Sequence, residues 1–255
     1  MENVLKISRE VAKAVKDAVS PIVGKDEANI VVGMGKDGTP TKKVDKVAED
    51  VALDVLKNYD VKVVTEESGV VGDGNTIVAL DPIDGTFNAV RGIPFYAVSL
   101  CFAKSITYDS TFFGYVYNLA TEDEYYAYDS AFKNGKIIKC SKTENLEDTN
   151  AIFYYPYKKF NFKRIRILGA ASLEICLVAD GSVDCFIDIR KKGNNGLLRV
   201  YDVSAGMYIA EKAGAVVTSP DGGSIYNKKF TMEERFNLVI ANNILHEKLI
   251  KVLQW

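Results

Sequence analysis

The sequence predicts an α+β fold, in which an antiparallel N-terminal half is followed by an alternating α/β half. Two amphipathic helical patterns occupy the first 58 residues, and short runs of aromatic and β-branched residues follow them to about residue 128. From about residue 150, apolar strand and helix patterns alternate instead. We therefore expect two lobes, residues 1–140 with α+β character and residues 141–255 with α/β character.

The N-terminal half begins with helices and continues with strands. Apolar residues recur at steps of three and four over residues 3–23 and 42–58, which predicts an amphipathic helix in each segment. Residues 33–40 contain three glycines and a proline, so we expect a loop there that is a candidate lid. A glycine-rich turn is expected at 69–74. The strands predicted in this half, the last three of which suit an antiparallel meander, are 61–65, 76–80, 95–103, 111–118 and 123–128.

The C-terminal half alternates between the two periodicities. Short runs of β-branched and aromatic residues predict strands, whereas longer apolar segments with helical spacing predict helices. The order expected is strand 151–155, strand 164–168, helix 171–179, strand 185–189, helix 201–213, strand 215–218, strand 238–241 and helix 244–253.

Composition excludes several classes of protein. The chain has 255 residues with 32 basic and 34 acidic side chains, and its net charge of −2 gives no general attraction to nucleic acid or to an anionic membrane. No uncharged stretch approaches the roughly 20 residues that a membrane span needs. We therefore expect a cytoplasmic protein whose partner is a small molecule rather than a nucleic acid or a membrane.

Histidine and cysteine are too sparse for most metal and nucleophile chemistry. His246 is the single histidine, so a Ser-His-Asp triad, a histidine-rich zinc site and an H-E-x-x-H protease are excluded. No C-x-x-C motif occurs, so neither a zinc ribbon nor a dithiol redox site is indicated. The cysteines are interpreted as buried thiols, and they are Cys101, Cys140, Cys176 and Cys185.

The strongest chemical motif is Asp81-Pro-Ile-Asp-Gly-Thr86, directly after the apolar strand residues 77–80. Acids at the carboxyl end of a buried strand lie where α/β sheets place their ligands. Gly85 and Thr86 are expected to open a helical turn, whose free amides can bind a phosphate oxygen. The motif therefore offers hard oxygen ligands and an anion site within six residues.

Further acids are predicted to converge on the same edge. Glu66 and Glu67 end the neighbouring predicted strand, and they arrive beside Asp81 if the two strands are adjacent in the sheet. Asp45 and Asp202 each stand at the start of a helix, where an aspartate taken alone is more typical of a helix cap than of a ligand. Carboxylates without histidine or thiolate favour Mg²⁺ or Mn²⁺ over zinc.

Together these motifs resemble the three signatures of the inositol monophosphatase and fructose-1,6-bisphosphatase superfamily, which are magnesium-dependent sugar phosphatases. The matching segments are 65–68, 81–86 and 200–206, and segments 154–159 and 164–169 look more like the archaeal bifunctional branch. The resemblance covers nearly the whole chain and implies a layered αβαβα sandwich and a homodimer. It also implies a phosphatase that converts fructose 1,6-bisphosphate to fructose 6-phosphate and hydrolyses myo-inositol 1-phosphate.

The resemblance assigns metal ions to the acidic residues. It implies that Glu66, Asp81 and the Ile83 carbonyl hold one Mg²⁺. Asp81, Asp84 and Asp202 are implied to hold a second ion. A third, weaker ion is implied near Glu66, under the glycine-rich loop.

The remaining implied roles concern the reaction. Thr86, hydrogen-bonded to Asp45, orients the attacking water, and Glu66 completes the catalytic set. The amides of Gly85 and Thr86 bind phosphate, and Glu67 supports the metal ligands without binding an ion itself. Metal-activated water then attacks phosphorus in line, by a mechanism that needs no histidine.

A basic and aromatic segment occupies residues 158–166. Five cations among aromatic rings are typical of a solvated face, of an anchor for a sugar phosphate or of a nucleic-acid surface, in that order of preference. The resemblance implies that Tyr155, Arg164 and Arg166 bind the phosphate that is not cleaved.

A second group is assigned to the substrate's hydroxyls and ring. Asp188 matches an acid that contacts hydroxyls, and Arg190 lies beside it in the sequence. Ala171 and Ser172 match residues that line the ring. Residues 192–197 read as a longer loop than in the related proteins, which affects specificity rather than metal chemistry.

Three alternative functions stay open. A haloacid-dehalogenase-type phosphatase also uses paired aspartates followed by Gly-Thr, but its acids are two apart, whereas Asp81 and Asp84 are three apart. A phosphatase of the same superfamily that acts on 3′-phosphoadenosine 5′-phosphate or NADP shares the motifs. A non-catalytic sensor of sugar phosphates or cations could retain the fold without turnover.

Overall fold

The protein, a computed structural model, is described over residues 2–36, 38–192 and 195–253. Within these residues the helices are α1 (Glu2–Val19), α2 (Lys43–Leu56), α3 (Thr86–Arg91), α4 (Ala171–Ala179), α5 (Val200–Lys212) and α6 (Asn243–Leu253). Short 3₁₀ turns occur at Asp26–Asn29, Tyr108–Ser110 and Leu146–Asp148.

The first sheet is antiparallel except for one parallel pair. It follows a hairpin of β1 (Val31–Met34) and β2 (Pro40–Lys42). Its strands are β3 (Val61–Thr65), β4 (Gly69–Val71), β5 (Thr76–Asp84), β6 (Ala97–Ala103), β7 (Thr111–Asn118), β8 (Glu124–Ala127), β9 (Ala131–Lys133) and β10 (Lys136–Ile137). The spatial order is β10-β9-β8-β7-β6-β5-β3-β4, and β3 runs parallel to β5.

The second sheet has the order β12-β11-β13-β19-β17, with β11, β12 and β13 parallel. Its strands are β11 (Asn150–Tyr154), β12 (Arg164–Arg166), β13 (Cys185–Asp188), β17 (Ala215–Thr218) and β19 (Leu238–Asn242). Two short ribbons lie outside it, and they pair β14 (Lys191–Lys192) with β15 (Asn195–Gly196) and β16 (Leu198–Arg199) with β18 (Arg235–Phe236).

Successive side chains of a strand point to opposite faces of its sheet, and their contacts show five layers. Val78 of β5 packs in the cluster formed with α1 and α2, whereas the next residue, Ala79, packs in the cluster formed with α4 and α5. In β13, Phe186 belongs to the same cluster as Ala79, and Ile187 packs with α6 on the outer face. The helix pair α4 and α5 therefore lies between the two sheets. This confirms the predicted layered αβαβα sandwich.

The inner helices pack closely because their contact includes a glycine. A Cβ added to Gly206 of α5 would lie 3.0 Å from the Ile175 Cβ and 3.1 Å from the Ser172 carbonyl oxygen. α4 is apolar around its circumference, as expected for a helix covered on every side. The contact fixes the start of α4, which lies at the functional site.

Several local predictions need correction. Residues 69–71, predicted as a turn, form β4 because they pair antiparallel with β3. The predicted loop 33–40 connects two paired strands, because residues 33–34 belong to β1 and residue 40 to β2. In the predicted loop 192–197, Lys192 pairs with Asn195, and residues 193–194 lie outside the described residues. Residue 37 of the candidate lid also lies outside them.

The other sequence expectations have mixed outcomes. Three of the cysteines, Cys101, Cys176 and Cys185, are buried, whereas Cys140 is half-buried. None of the helices in the described part of the chain is both long and apolar enough to span a membrane. The lobe boundary at 140/141, the cytoplasmic location and the homodimer stay predictions.

Candidate active site

Two parallel strands bring the acidic motifs to one edge of the first sheet. β3 and β5 run in the same direction, with Thr65 in register with Leu80. Glu66 follows Thr65 and Asp81 follows Leu80, so both acids lie at the same edge. The adjacency of the two strands, on which the sequence prediction depended, is confirmed.

A bulge in β5 separates the two aspartates. Between Asp81 and Asp84 the register against β6 shifts, because β5 takes three residue steps where β6 takes two. Pro82 lies in this interval and has no amide hydrogen to donate to the ladder. The Ile83 amide donates to Asp81 Oδ1 at 3.0 Å, which fixes that carboxylate against its own turn.

Asp84 is held by the N-terminus of α4. Its oxygens accept hydrogen bonds from the amides of Ala171 at 3.2 Å and Ser172 at 2.7 Å, and from the Ser172 hydroxyl. Such amides have no partner within the helix, and the helix dipole favours a carboxylate there. Ser172 is fully buried, so the structure gives it a role in positioning Asp84. The substrate contacts of Ala171 and Ser172 stay predictions.

Asp45 is both a helix cap and the partner of Thr86. On the first turn of α2, its Oδ2 accepts the Lys42 amide at 3.2 Å, and its Oδ1 accepts the Thr86 hydroxyl at 2.8 Å. Thr86 Oγ1 also lies 3.3 Å from the Ile83 carbonyl oxygen. The hydrogen bond implied by the resemblance is therefore present, and capping does not exclude it because the two oxygens have different partners.

Asp202 approaches the same edge from the C-terminal half. It lies on the first turn of α5, where its Oδ2 accepts the Arg199 amide at 2.6 Å. Burial, with a contribution from the charge of Asp84, raises the pKa of Asp202 to about 7. We call the converging acids the acidic edge, and its members are Asp45, Glu66, Asp81, Asp84 and Asp202.

Burial and mutual repulsion both disfavour ionised carboxylates at the acidic edge. Burial raises the pKa of Asp81 well above its usual range, and the charges of Asp84, Glu66 and Asp202 raise it further. Burial also raises the pKa of Asp84 to about 7, although its hydrogen bonds from Ser172 oppose the shift. A divalent cation among these oxygens relieves both effects, and an all-oxygen donor set suits Mg²⁺ or Mn²⁺.

The carboxylates of the acidic edge accept hydrogen bonds from protein donors, and they do not surround a common point. Among the residues that the structure describes, no three acidic, histidine or cysteine side chains form a ready-made metal cluster. Both oxygens of Asp84 are bonded to α4, and one oxygen each of Asp45 and Asp202 is bonded at the start of its own helix. Each carboxylate oxygen has two lone pairs, so an oxygen that accepts one of these hydrogen bonds can still bind an ion.

The β1–β2 hairpin is joined to the acidic edge through Glu67. The Lys36 amide donates to the Glu67 carbonyl oxygen at 3.0 Å, and the Thr41 hydroxyl donates to the Glu67 carboxylate. Thr39 Oγ1 lies 3.5 Å from Glu66 Oε1. Glu67 thus connects the candidate lid to the turn that carries Glu66, which agrees with its predicted supporting role.

Gly85 allows the loop after Asp84 to pass close to α4. Its φ of +90° is in the left-handed region, and an added Cβ would lie 3.0 Å from the Ala170 Cβ and 3.1 Å from the Phe95 carbonyl oxygen. α3 begins at the next residue, Thr86. The predicted helical turn after the acidic motif is confirmed, and its first amides belong to Gly85 and Thr86.

Comparison with known proteins identifies the family. The model of the inositol monophosphatase family matches residues 1–254 of this chain. A fructose-1,6-bisphosphatase/inositol-1-monophosphatase of Archaeoglobus fulgidus is 57% identical over 251 residues, which cover 98% of each chain. The chain belongs to the inositol monophosphatase family.

Two further relatives agree with this assignment. A Methanothermobacter thermautotrophicus protein with the same name is 38% identical and aligns over 97% of this chain and 95% of its own. The crystal structure of an inositol monophosphatase–fructose 1,6-bisphosphatase superposes with a TM-score of 0.86 at 33% identity and 98% coverage of each chain. As a member of this family, the chain is a phosphoric monoester hydrolase, and the family is generally metal-dependent.

The predicted anchor for the second phosphate is spread over the second sheet. Tyr155 follows β11, is 71% exposed and has a φ of +48°, a strained value for a residue with a side chain. Arg164 is paired in register with Asn150 at the opposite end of β11, and its Nη1 donates to Asn150 Oδ1 at 3.2 Å. Arg166, exposed at the end of β12, is nearer to Tyr155 along the strand direction. The structure therefore separates Arg164 from the other two.

Buried Asp188 and half-buried Arg190 form a pair at the end of β13, where Asp188 is in register with Tyr154. Asp188 is fully buried, and its oxygens accept hydrogen bonds from the Arg190 amide at 2.9 Å and Nε at 3.0 and 3.1 Å. The Arg190 guanidinium carbon lies 4.2 Å from the centroid of the Tyr154 ring. Both carboxylate oxygens of Asp188 thus accept hydrogen bonds from Arg190. The contact of Asp188 with substrate hydroxyls stays a prediction. We call Tyr155, Arg164, Arg166, Asp188 and Arg190 the substrate rim.

Two buried glutamates were missed as site residues. Glu174, on the first turn of α4, is fully buried and accepts hydrogen bonds from the Tyr154 hydroxyl and from the amides of Leu168 and Gly169. Glu49 is also fully buried, and all its donors lie in the turn that carries Glu66. Glu49 follows Asp45 by one helical turn, and this spacing is the signal that could have found it.

Proposed function

We propose that this member of the family is a Mg²⁺-dependent phosphatase that converts fructose 1,6-bisphosphate to fructose 6-phosphate and hydrolyses myo-inositol 1-phosphate. The names of its relatives in Archaeoglobus and Methanothermobacter support these two substrates. The observation that carries the proposal is the 2.8 Å hydrogen bond from Thr86 to Asp45 beside the acidic edge. A hydroxyl polarised by a carboxylate next to a cation site is what activation of a water molecule requires.

Two to three Mg²⁺ ions are proposed, with Mn²⁺ as a substitute. Glu66, Asp81 and the Ile83 carbonyl would hold one ion, and Asp81, Asp84 and Asp202 a second. A third, weaker ion is proposed near Glu66. When bound, Mg²⁺ supplies Lewis-acid activation of water and neutralises the charge that develops on the phosphoryl group.

The chain's own residues orient the reactants. Thr86 donates its hydroxyl hydrogen to Asp45, so its Oγ1 is proposed to accept a hydrogen bond from the attacking water. The amides of Gly85 and Thr86 are proposed to bind the phosphate, since left-handed Gly85 starts the helical turn of α3. Arg190, exposed only in part and held by Asp188, is proposed to contact the rest of the substrate.

The proposal is tested by phosphate release from a panel of four substrates with Mg²⁺ titration. Fructose 1,6-bisphosphate and myo-inositol 1-phosphate are expected to give the highest kcat/KM. Higher turnover of NADP or 3′-phosphoadenosine 5′-phosphate would assign the nucleotide function instead. Binding without Mg²⁺-dependent release would favour the sensor, and a trapped aspartyl-phosphate would favour the haloacid-dehalogenase mechanism.

A further inference from the structure

Glu49 is a fully buried carboxylate on α2, outside the residues assigned to metal or substrate. It lies on the same helix face as Asp45, one turn further on, and faces the turn that connects β3 to β4. A buried carboxylate is costly unless donors satisfy it, and an apolar residue would pack α2 equally well. The presence of a glutamate here therefore needs a reason in the groups that it contacts.

Among the described residues, the donors to Glu49 all lie within two positions of Glu66. Oε1 accepts the Thr65 hydroxyl at 2.7 Å and the amides of Glu67 and Ser68, each at 3.2 Å. Oε2 accepts the Ser68 hydroxyl at 2.6 Å. Glu49 thus accepts hydrogen bonds from residues on both sides of Glu66. It does not accept one from Glu66 itself, whose side chain belongs to the acidic edge.

The same turn is fixed from the other side by the hairpin. The Lys36 amide and the Thr41 hydroxyl both donate to Glu67, so the backbone at Glu67 is held between α2 and the β1–β2 hairpin. Because α2 also carries Asp45, which holds Thr86, a single rigid helix sets the positions of both acidic loops.

We propose that Glu49 is a positioning residue that presets Glu66 for cation binding. The inference rests on the proposed function, because it takes Glu66 to be a metal ligand. Groups that orient metal ligands typically change metal affinity by about 10- to 100-fold when they are removed. Loss of Glu49 leaves two backbone amides and two hydroxyls without their acceptor, so the turn that carries Glu66 becomes less constrained. The affinity for the ion therefore decreases, whereas the rate of the chemical step does not.

The test is Mn²⁺ binding to the full chain, followed by electron paramagnetic resonance of the free ion. Glu49→Ala is expected to weaken Mn²⁺ binding by about 10- to 100-fold, whereas kcat at saturating Mg²⁺ changes by less than about threefold. Glu49→Gln is expected to have a smaller effect, because its amide oxygen retains the Thr65, Glu67 and Ser68 contacts and its Nε2 can donate to Ser68 Oγ. The matched control is Asp50→Asn, the exposed neighbour on α2 that pairs with Lys46.

Hydrogen exchange provides a second readout. Ser68→Ala, which removes one donor to Glu49, is the substitute variant if Glu49→Ala does not fold. Faster exchange at the Glu67 and Ser68 amides in Glu49→Ala, with unchanged exchange in Asp50→Asn, supports the inference. Unchanged Mn²⁺ affinity in Glu49→Ala, or in both Glu49→Gln and Ser68→Ala if the alanine variant does not fold, overturns it. A wild-type chain that binds no Mn²⁺ overturns the metal site as well, so the two failures are distinguishable.

Discussion

The acidic edge and the substrate rim are built in different ways. Members of the acidic edge are bonded to backbone amides at helix starts, as Asp84 is to α4 and Asp202 is at the start of α5. Members of the substrate rim are bonded to one another or are open to solvent, as the Asp188–Arg190 pair and Tyr155 illustrate. Backbone donors move only if the fold moves, whereas paired side chains can be exchanged together. In the proposed function, the fold therefore fixes the groups of the reaction, and specificity depends on a few side chains.

The largest expected effect comes from Asp84→Asn. The amide keeps the size of the side chain but removes a charge that the ion needs, so Mg²⁺-dependent phosphate release is expected to fall at least about 1,000-fold, equivalent to about 4 kcal/mol. Circular dichroism and thermal unfolding check that the fold is retained. Turnover within tenfold of wild type would place the chemistry elsewhere. Asp50→Asn is the matched control.

Thr86→Ala is expected to reduce kcat about 100-fold with a small change in the half-saturating Mg²⁺ concentration. The substitution removes the hydroxyl that donates to Asp45 at 2.8 Å, and positioned acid–base groups typically contribute factors of this size. Thr86→Ser retains the hydroxyl and is expected to recover most of the rate. Equal losses in the serine and alanine variants would mean that the methyl group, and not the hydroxyl, matters.

At the substrate rim, Arg190→Ala is expected to destabilise the fold by about 2 kcal/mol and to raise KM for fructose 1,6-bisphosphate more than it lowers kcat. The reason is that Asp188, which is 0% exposed, loses its buried partner. Urea unfolding measures the free energy. Arg164→Ala is the contrasting variant, because exposed Arg164 donates only to Asn150, and its effect on stability is expected to stay within about 0.5 kcal/mol. A larger effect at Arg164 than at Arg190 would reverse the comparison.

The smallest effect concerns stability without metal. The pKa of Asp84 is raised from 3.8 to about 7, so the folded chain binds more protons than the unfolded chain between these values. This contribution is present below pH 3.8 and is lost as the pH rises through about 7. In EDTA, the unfolding free energy of wild type is expected to fall relative to Asp84→Asn by about 1–2 kcal/mol between pH 5 and pH 8. Parallel pH profiles for the two proteins would contradict the raised pKa that burial gives Asp84.

Much of the acidic edge could be predicted from sequence because its geometry is local. The acids follow apolar strands, start helices or share a six-residue motif, so strand adjacency alone was needed to bring them together. Many helices and strands could be predicted for a similar reason. Helix 171–179 and strand 215–218 were predicted with the bounds that the structure has. Adjacency itself was a condition of the prediction, because periodicity does not show which strands pair.

The supporting contacts could not be predicted because they depend on how a helix is rotated. The apolar pattern of α2 suggested that Val47, Val51 and Val55 face the core, but these residues are only half-buried. The buried face instead includes Asp45 and Glu49, whose donors come from distant loops. Likewise, a single-sequence pattern could not reveal that Arg190 occupies Asp188, since both members of that pair are polar and sit at a strand end.

The most direct test of the account is anomalous diffraction from crystals of the chain soaked in Mn²⁺. The account predicts anomalous peaks between Asp81 and the side chains of Glu66, Asp84 and Asp202. Peaks located away from these carboxylates, or no peak at saturating Mn²⁺, would contradict it.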